Sequence, residues 1–451
     1  MVKYLTGVKA FRVLWAGQSF SLLGSGMTRF AVMIWAFQVE GTATALALLG
    51  FFNCLTYIIA SPFAGVLVDR WDRRRVMILS DLGGGLATLF LLIIFRLGRL
   101  ELWHLYLAVG TVGVFEAFQE PAFSASISLL VPRQDFTRSN AMLGLGRSAA
   151  RMLSPAFAGL LLPLAGLGVV MLVDLISLGL ALLGLILVRI PPPAASAAGR
   201  QARGAFRHEL KFGACYILER SGLRGLLLTF FLVNLFGTLT YFAVLSPMIL
   251  ARTGGSEVTL GLVRTVMGLG GIAGGLAVTA WGGSRNKTRT YLVSVMLSFL
   301  VCDAMMGLSQ SAGGWIAAGL MAEFSIAFIV SPYYAIWQEQ VPTDVQGRVF
   351  AMREMVQVAS QPLGYLAGGL LADQIFEPFM LGGAGLAASL AHLVGSGPGS
   401  GMAVMFLFTS LFGGLTGLLG LLSPAIRKLD ARSPDINEEG GDPLDSALIP
   451  H

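Results

Sequence analysis

The chain has little charge. Asp, Glu, Lys and Arg make up 12% of its 451 residues, 55% are hydrophobic, and mean hydropathy is +0.74. Soluble proteins carry about twice that share of charge, so too little polar surface exists here to coat the soluble cores such a length implies. That excludes a cytosolic enzyme, and equally a disordered chain. Four histidines and three cysteines leave few metal ligands. Cys54, Cys215 and Cys302 stand at unrelated spacings in or beside apolar runs and read as small hydrophobes, neither a metal site nor a disulfide framework. No Walker phosphate loop is present. Gly268-Leu-Gly270-Gly271-Ile-Ala273 looks like part of a dinucleotide fingerprint, but it lies inside an apolar run with no strand before it. No cofactor is expected, and no nucleophile–base or ligand cluster stands at a spacing that suits an enzyme.

What is present is long apolar stretches. A membrane helix needs about 20 mostly apolar residues. Twelve such spans can be cut, at 12–38, 44–68, 76–96, 103–130, 137–163, 167–189, 223–250, 257–281, 289–309, 313–337, 347–372 and 402–422. Their apolarity is continuous, not alternating, which makes them helices and not barrel strands. The first run is too long for a cleavable signal and reads as a signal anchor. The expected fold class is an all-α polytopic membrane protein.

The cations supply an orientation. With both termini inside, 24 of the 31 Lys and Arg fall in inner segments, and only Arg96, Arg99 and Arg252 fall outside. Arg29, Arg147, Arg151 and Arg264 lie within spans. That is the positive-inside pattern of a multi-pass cell-membrane protein with cytoplasmic termini. A lipid bilayer, not nucleic acid, accounts for the net charge of +6.

A seam divides the chain. Pro191, Pro192 and Pro193 precede a small-residue stretch, and a basic segment then runs from Arg200 to Arg224. Its apolar residues, from Phe206 to Leu218, interleave with Arg207, Lys211, Glu219 and Arg220, a pattern that suits a short helix on the inner membrane surface. The expected units are a bundle at 1–190, a linker at 191–222, a second bundle at 223–422 and a disordered tail at 423–451. The bundles repeat. Pro121, Pro132 and Pro155 recur as Pro332, Pro342 and Pro362, and the basic hairpin Arg70 to Arg75 recurs at Arg285 to Arg289. Two pseudo-symmetric six-helix bundles form the layout of rocker-type secondary transporters, whose site lies between the halves.

The loop after span 2 reads Gly65-Val-Leu-Val-Asp69-Arg70-Trp-Asp72-Arg73-Arg74-Arg75. It resembles the major facilitator signature G-x-L-a-D-R-x-G-R-R, with Asp72 in place of a frequent glycine. The W-D-R-R-R form is similar to the macrolide-efflux-like branch of drug:proton antiporters. So are Phe11-Arg12-Val-Leu-Trp15-Ala-Gly17-Gln18, Gly347-Arg348-Val-Phe350 and the outer-loop segment Phe376-Glu377-Pro378-Phe379-Met380. The resemblance covers essentially the whole chain. Gly65 permits close packing, and Asp69 suits the positive end of a helix dipole. The resemblance implies that this helix is span 11, beginning near Gly347 and Arg348, and that the contact latches an inner gate. Arg70, Arg73, Arg74 and Arg75 read also as topology determinants, and the two roles are compatible. The antiporter motif expected in span 5 is degenerate, as Ser154-Pro155-Ala-Phe-Ala158-Gly159, whose small residues let the helix bend and pack. The arginine some antiporters carry in span 4 is absent; Glu116 and Glu120 stand there instead.

A mid-membrane charge costs about 2.5–3.5 kcal/mol on insertion scales, so each calls for a partner or a role. Glu116 and Glu120 share one face of span 4, and Arg147 and Arg151 share one face of span 5. In an antiparallel hairpin Glu120 meets Arg147 and Glu116 meets Arg151, a two-rung ladder that is either a relay or a static pairing. Glu323 has no local partner and is the leading proton-coupling candidate. The resemblance places Arg29, Glu116, Glu120 and Glu323 on cavity-lining helices. Asp81, Asp174, Asp303 and Arg264 lie nearer span ends, where snorkelling or local packing explains them. Phe236, Tyr241, Tyr333 and Tyr334, with Phe242, Met305 and Trp337, offer an apolar lining for cargo, or else helix packing. The Gly-rich outer loop at 373–401 reveals no mechanism.

Together these readings lead us to expect a monomeric, proton-coupled exporter of lipophilic or amphiphilic small molecules, working by alternating access. A siderophore exporter or a lysophospholipid translocator of the same fold is the alternative. A membrane sensor or scaffold that does not transport is the different-class reading.

Overall fold

The structure is a computed structural model that describes residues 5–132, 136–190, 206–281, 284, 286–341, 346–383 and 385–429. At some helix positions, among them Gly65, Asp69, Arg70, Gly347 and Arg348, it describes only the backbone. The segment 191–205 and the tail from 430 lie outside the described residues.

Continuous apolar runs have become helices, and among the described residues the sole β-type pairing is an isolated bridge between Leu5 and Val188. Twelve helices occupy the twelve expected spans. They are α1 (Gly7–Glu40), α2 (Ala43–Arg70), α3 (Arg73–Arg96), α4 (Leu102–Leu130), α5 (Phe136–Ala165), α6 (Leu167–Leu187), α7 (Ser221–Arg252), α8 (Glu257–Trp281), α9 (Lys287–Leu308), α10 (Ala312–Gln340), α11 (Gln346–Leu371) and α12 (Ser400–Leu422). Ten are long and apolar enough to cross a membrane. The other two, α4 and α11, have the length but carry polar side chains, Glu116, Gln119 and Glu120 on one and Arg353, Glu354, Gln357 and Gln361 on the other. With the helices alternating, both ends of the described chain lie on one side, termed here the terminal face; the opposite side is the far face.

Local chemistry sets the helix ends. Gly41 takes a left-handed conformation (φ 69°) to stop α1, and Thr42 caps α2 by accepting from the Ala45 N–H at 3.3 Å. Asp72 caps α3 and Ser311 caps α10 in the same way. The face of α6 that carries Leu172, Ile176, Leu180 and Leu183 is exposed, whereas Asp174 and Ser177 on the opposite face are buried. An apolar exterior over a partly polar interior is stable in lipid, not in water.

Helices α1–α6 pack among themselves, and so do α7–α12. Two seams join the bundles, α2 against α11 and α5 against α8. The six-helix repeat maps one seam onto the other. A surface helix, Phe206–Glu219, follows the linker; it buries Ile217 and packs on α7 and α11.

Three π turns interrupt the second bundle, at Thr238–Phe242, Ser298–Asp303 and Ala372–Phe376. Much of the expected loop at 373–401 is helical. The last π turn continues into Glu377–Leu381, and a further helix spans Leu386–Val394. Glu377 accepts from the backbone N–H groups of Gly399, Gly401 and Met402 at the start of α12. Arg252 donates to the carbonyls of Val394 (2.7 Å), Gly399 (3.2 Å) and Ser309 (3.4 Å). Each charge thereby satisfies backbone groups that helix ends leave open.

Candidate functional site

One wall of the interface between the bundles is built on α1, α2 and α4. Arg29 forms an ion pair with Glu116, whose second oxygen accepts from Asn53 at 3.2 Å. One turn further along α4, Glu120 pairs with Arg147 of α5 at 2.7 Å. A cavity of about 380 Å³ opens here, with Tyr57, Ser61, Glu120 and Arg147 in its wall. Thus one rung of the expected ladder forms. The second does not: Glu116 turns to Arg29, and Arg151 is exposed with no ion pair among the described residues. The hairpin geometry fails because α4 leans on α2 and α3, whereas α5 leans on α1 and, across the seam, on α8.

The facing wall belongs to α8, α10 and α11. Glu323 is half-buried on α10 and has no hydrogen bond or ion pair among the described residues. It looks onto bare backbone of α8, where a Cβ on Gly271 would lie 3.7 Å from its Oε2. Arg264 and Arg151 are within electrostatic reach of it. Arg264 is itself held by the Tyr241 carbonyl (2.9 Å) and the Ser246 hydroxyl (2.8 Å). Tyr365 of α11 stands within reach of both Arg29 and Arg264, its ring lodged where Gly50 of α2 has no side chain.

The other intramembrane acids serve packing. Asp174 accepts from Ser25 (2.9 Å) and Thr88 (3.0 Å), which ties α6 to α1 and α3. Asp303 accepts from Tyr241 (2.9 Å) and Thr409 (2.7 Å), which ties α9 to α7 and α12, the same trio in the repeat. Asp81 accepts from Gln18 and Gln119. Local packing is therefore the right half of the expectation. Snorkelling is not, since Asp174 and Asp303 are 3% and 1% exposed. Tyr241 and Asp303 both lie in π turns, a geometry that turns up at functional positions more often than chance.

The loop motif is partly visible. Asp72 accepts from the N–H groups of Arg74 (2.9 Å) and Arg75 (3.3 Å). Arg74 donates to the carbonyls of Leu185 and Ile186, each at 2.7 Å, closing the end of α6. Arg73 begins α3. The side chains of Gly65, Asp69, Arg70, Gly347 and Arg348 lie outside the described residues, and with them the expected inner latch. In α5, Ser154 donates to the Leu23 carbonyl at 2.9 Å. Pro155 and Gly159 face Gly261 of α8 so closely that a Cβ on Gly261 would stand 2.9 Å from the Pro155 carbonyl. Small residues there set the α5–α8 approach.

For part of the expected aromatic lining, helix packing is the observed role. Tyr333 is fully buried, stacked on Phe230 at 3.8 Å, and its hydroxyl accepts from Gln357 at 2.6 Å. Trp337 is fully buried as well. Tyr241 is held by Asp303 and packs edge-on against Phe406, Phe236 packs edge-on against Phe299, and Tyr334 lies under the Arg353 guanidinium. Tyr333 and Trp337 fill the bundle, whereas Phe236, Tyr241 and Tyr334 are half-buried; apolar surface alone does not separate a cavity wall from a core.

Residues 14–365 match the family model described as Major Facilitator Superfamily. The chain belongs to this superfamily. Over 390 residues it is 26% identical to macrolide efflux protein A of Streptococcus pyogenes, a match that spans 83% of this chain and 92% of that protein. Over 372 residues it is 26% identical to the enterobactin exporter EntS of Salmonella paratyphi A, spanning 80% and 85%. A bacterial homolog of the human lysosomal transporter Spinster, solved in an inward-facing and unoccupied conformation, superposes with a TM-score of 0.70 at 15% identity, over 94% of this chain and 98% of that one. The protein is thus a multi-pass membrane transporter of the superfamily fold. In this transporter, the sequence reading left out Gln361 and Tyr365 at the α2–α11 seam and Asn53, which bridges α2 to Glu116 of α4. All three are polar side chains in apolar spans, a signal present in the sequence but weaker than the full charges of Glu116, Glu120 and Glu323.

Proposed function

We propose that this transporter exports lipophilic or amphiphilic small molecules across the cell membrane by alternating access, in exchange for protons. It works as a monomer with both termini cytoplasmic. The observation that carries the reading is Glu323, a half-buried carboxylate on α10 that has no ion pair among the described residues and lies within electrostatic reach of Arg264 and of Arg151 on the other half. A proton and a cationic group of a cargo neutralise the same charge on Glu323, so each excludes the other, which is what exchange requires. The halves 1–190 and 223–422 rock about the two seams. Among the described residues, the cross-half hydrogen bonds, Gln38 to Glu257, the Ala43 and Thr44 N–H groups to Asp373, and Cys54 to Gln361, lie in the middle and at the far face. With cytoplasmic termini, these bonds hold the outer side together, and release of cargo outward requires them to part.

The cargo class rests on the relatives, whose names are macrolide efflux protein and enterobactin exporter. A siderophore is the second reading, favoured by the latter relative and by the guanidiniums of Arg151 and Arg264, which suit an acidic cargo. The test is uptake by proteoliposomes of drugs, siderophores and lysolipids with and without an imposed pH gradient. The parent should respond to the gradient, and Glu323→Gln should lose that response. Full gradient-driven transport by Glu323→Gln removes this residue from the mechanism, and no response from any cargo rejects proton coupling.

A further inference from the structure

Across one seam α2 and α11 run antiparallel, and their contacts advance about four residues at a time. Cys54 Sγ meets Gln361 Oε1 at 3.4 Å. One turn nearer the far face, Gly50 receives the Tyr365 ring; a turn beyond that, Gly369 packs so closely on Thr44 and Ala47 that a Cβ there would stand 2.8 Å from each. At the far face the Asp373 carboxylate accepts from the backbone N–H groups of Ala43 (3.0 Å) and Thr44 (2.6 Å). These are the first two residues of α2, a helix of 28 residues.

We propose that Asp373 is the latch that holds the far face of the transporter closed, a positioning residue for the transport cycle. The first N–H groups of a helix have no partner within it, and its N-terminal end is positive. Thr42 satisfies the Ala45 N–H from within α2, and Asp373 satisfies the two before it from the other half of the molecule. Such charge-assisted bonds are about twice as strong as neutral ones. They cannot survive separation of the halves at this face, because donors and acceptor sit on different bundles. Asp373 also lies in a π turn, which aims it out of the regular course of α11. The far-face bond beside the other seam is the weaker: a single bond between exposed side chains, from Gln38 to Glu257 at 2.8 Å, where Asp373 takes two part-buried backbone donors at a helix start. The latch holds whatever the cargo and the coupling ion.

The test places spin labels at Val39→Cys and Val258→Cys, exposed far-face positions on opposite halves. The full-length protein carries Cys54→Ala, Cys215→Ser and Cys302→Ala and sits in lipid nanodiscs. The parent should show mainly the short distance by pulsed electron resonance. Asp373→Ala should raise the ratio of long to short distances by about tenfold, the effect expected for losing a good helix cap. Gln38→Ala should raise it much less. An unchanged distribution in Asp373→Ala, or an equal shift in Gln38→Ala, overturns the proposal. If Asp373→Ala does not fold, Asp373→Asn, which keeps one acceptor oxygen, decides in the same way: a smaller shift supports the latch and no shift overturns it.

Discussion

Replacing Asp303 by Ala should loosen the second bundle measurably. Its carboxylate joins three helices through Tyr241 at 2.9 Å and Thr409 at 2.7 Å, at a site 1% exposed. Hydrogen bonds between transmembrane helices average about 0.6 kcal/mol and reach about 1.7, so the two bonds together contribute about 1–3 kcal/mol. The truncation also strands their donors, unequally. Thr409 keeps a bond to the Phe406 carbonyl at 3.2 Å, whereas Tyr241 has no other hydroxyl partner among the described residues. A stranded buried hydroxyl costs about 1–3 kcal/mol, which brings the expected loss to about 3 kcal/mol, most of it on the Tyr241 side. Equilibrium unfolding in micelles, run as double-mutant cycles with Tyr241→Phe and Thr409→Val, separates the two arms. Coupling of Asp303 to Tyr241 should be about 1 kcal/mol and exceed that to Thr409. A loss under about 0.5 kcal/mol for Asp303→Ala, or no coupling to Tyr241, would refute the reasoning.

Two further outcomes follow from the packing. Gly274→Ala forces a methyl into the Phe324 carbonyl and should destabilise the α8–α10 contact by about 1–3 kcal/mol, whereas Gly275→Ala, with nothing within 4 Å, should stay within about 0.5 kcal/mol; thermal unfolding compares them. Neutralising Glu120 and Arg147 together, as Gln, should change stability by less than about 1 kcal/mol, since their side chains are 50% and 46% exposed, yet alter transport because they line the cavity; flux and unfolding on the same preparation show whether the two separate.

The spans were legible because lipid demands long continuous apolarity, and ten of the twelve expected runs meet that demand outright. The prolines of the internal repeat, Pro121 with Pro332 and Pro155 with Pro362, do fall inside corresponding helices. Pairing was less legible. Glu120–Arg147 follows from hairpin geometry, but Arg29–Glu116 depends on how α4 tilts away from α5, which is set by packing against other helices. The same holds for Tyr333: an aromatic in a span is core or cavity wall depending on its neighbour, here Phe230. Asp373 left no mark at all. It stands beside Gly-rich loop sequence, and nothing in its surroundings announces that the start of α2 lies opposite.

The three π turns carry a consequence for how this chain can change. Bonding from residue i to i+5 takes up one residue more than an α-helical turn, so each is a local surplus of length. Deleting one residue from such a turn restores the α-helix and re-aims the side chains of the turn itself, while the helix that follows keeps its register. Tyr241, Asp303 and Asp373 each lie in one of these turns, all in the second bundle, and the first bundle has none among the described residues. The two halves match in helix order but not in this respect. In the second, gate and core contacts can be re-aimed by a codon gained or lost.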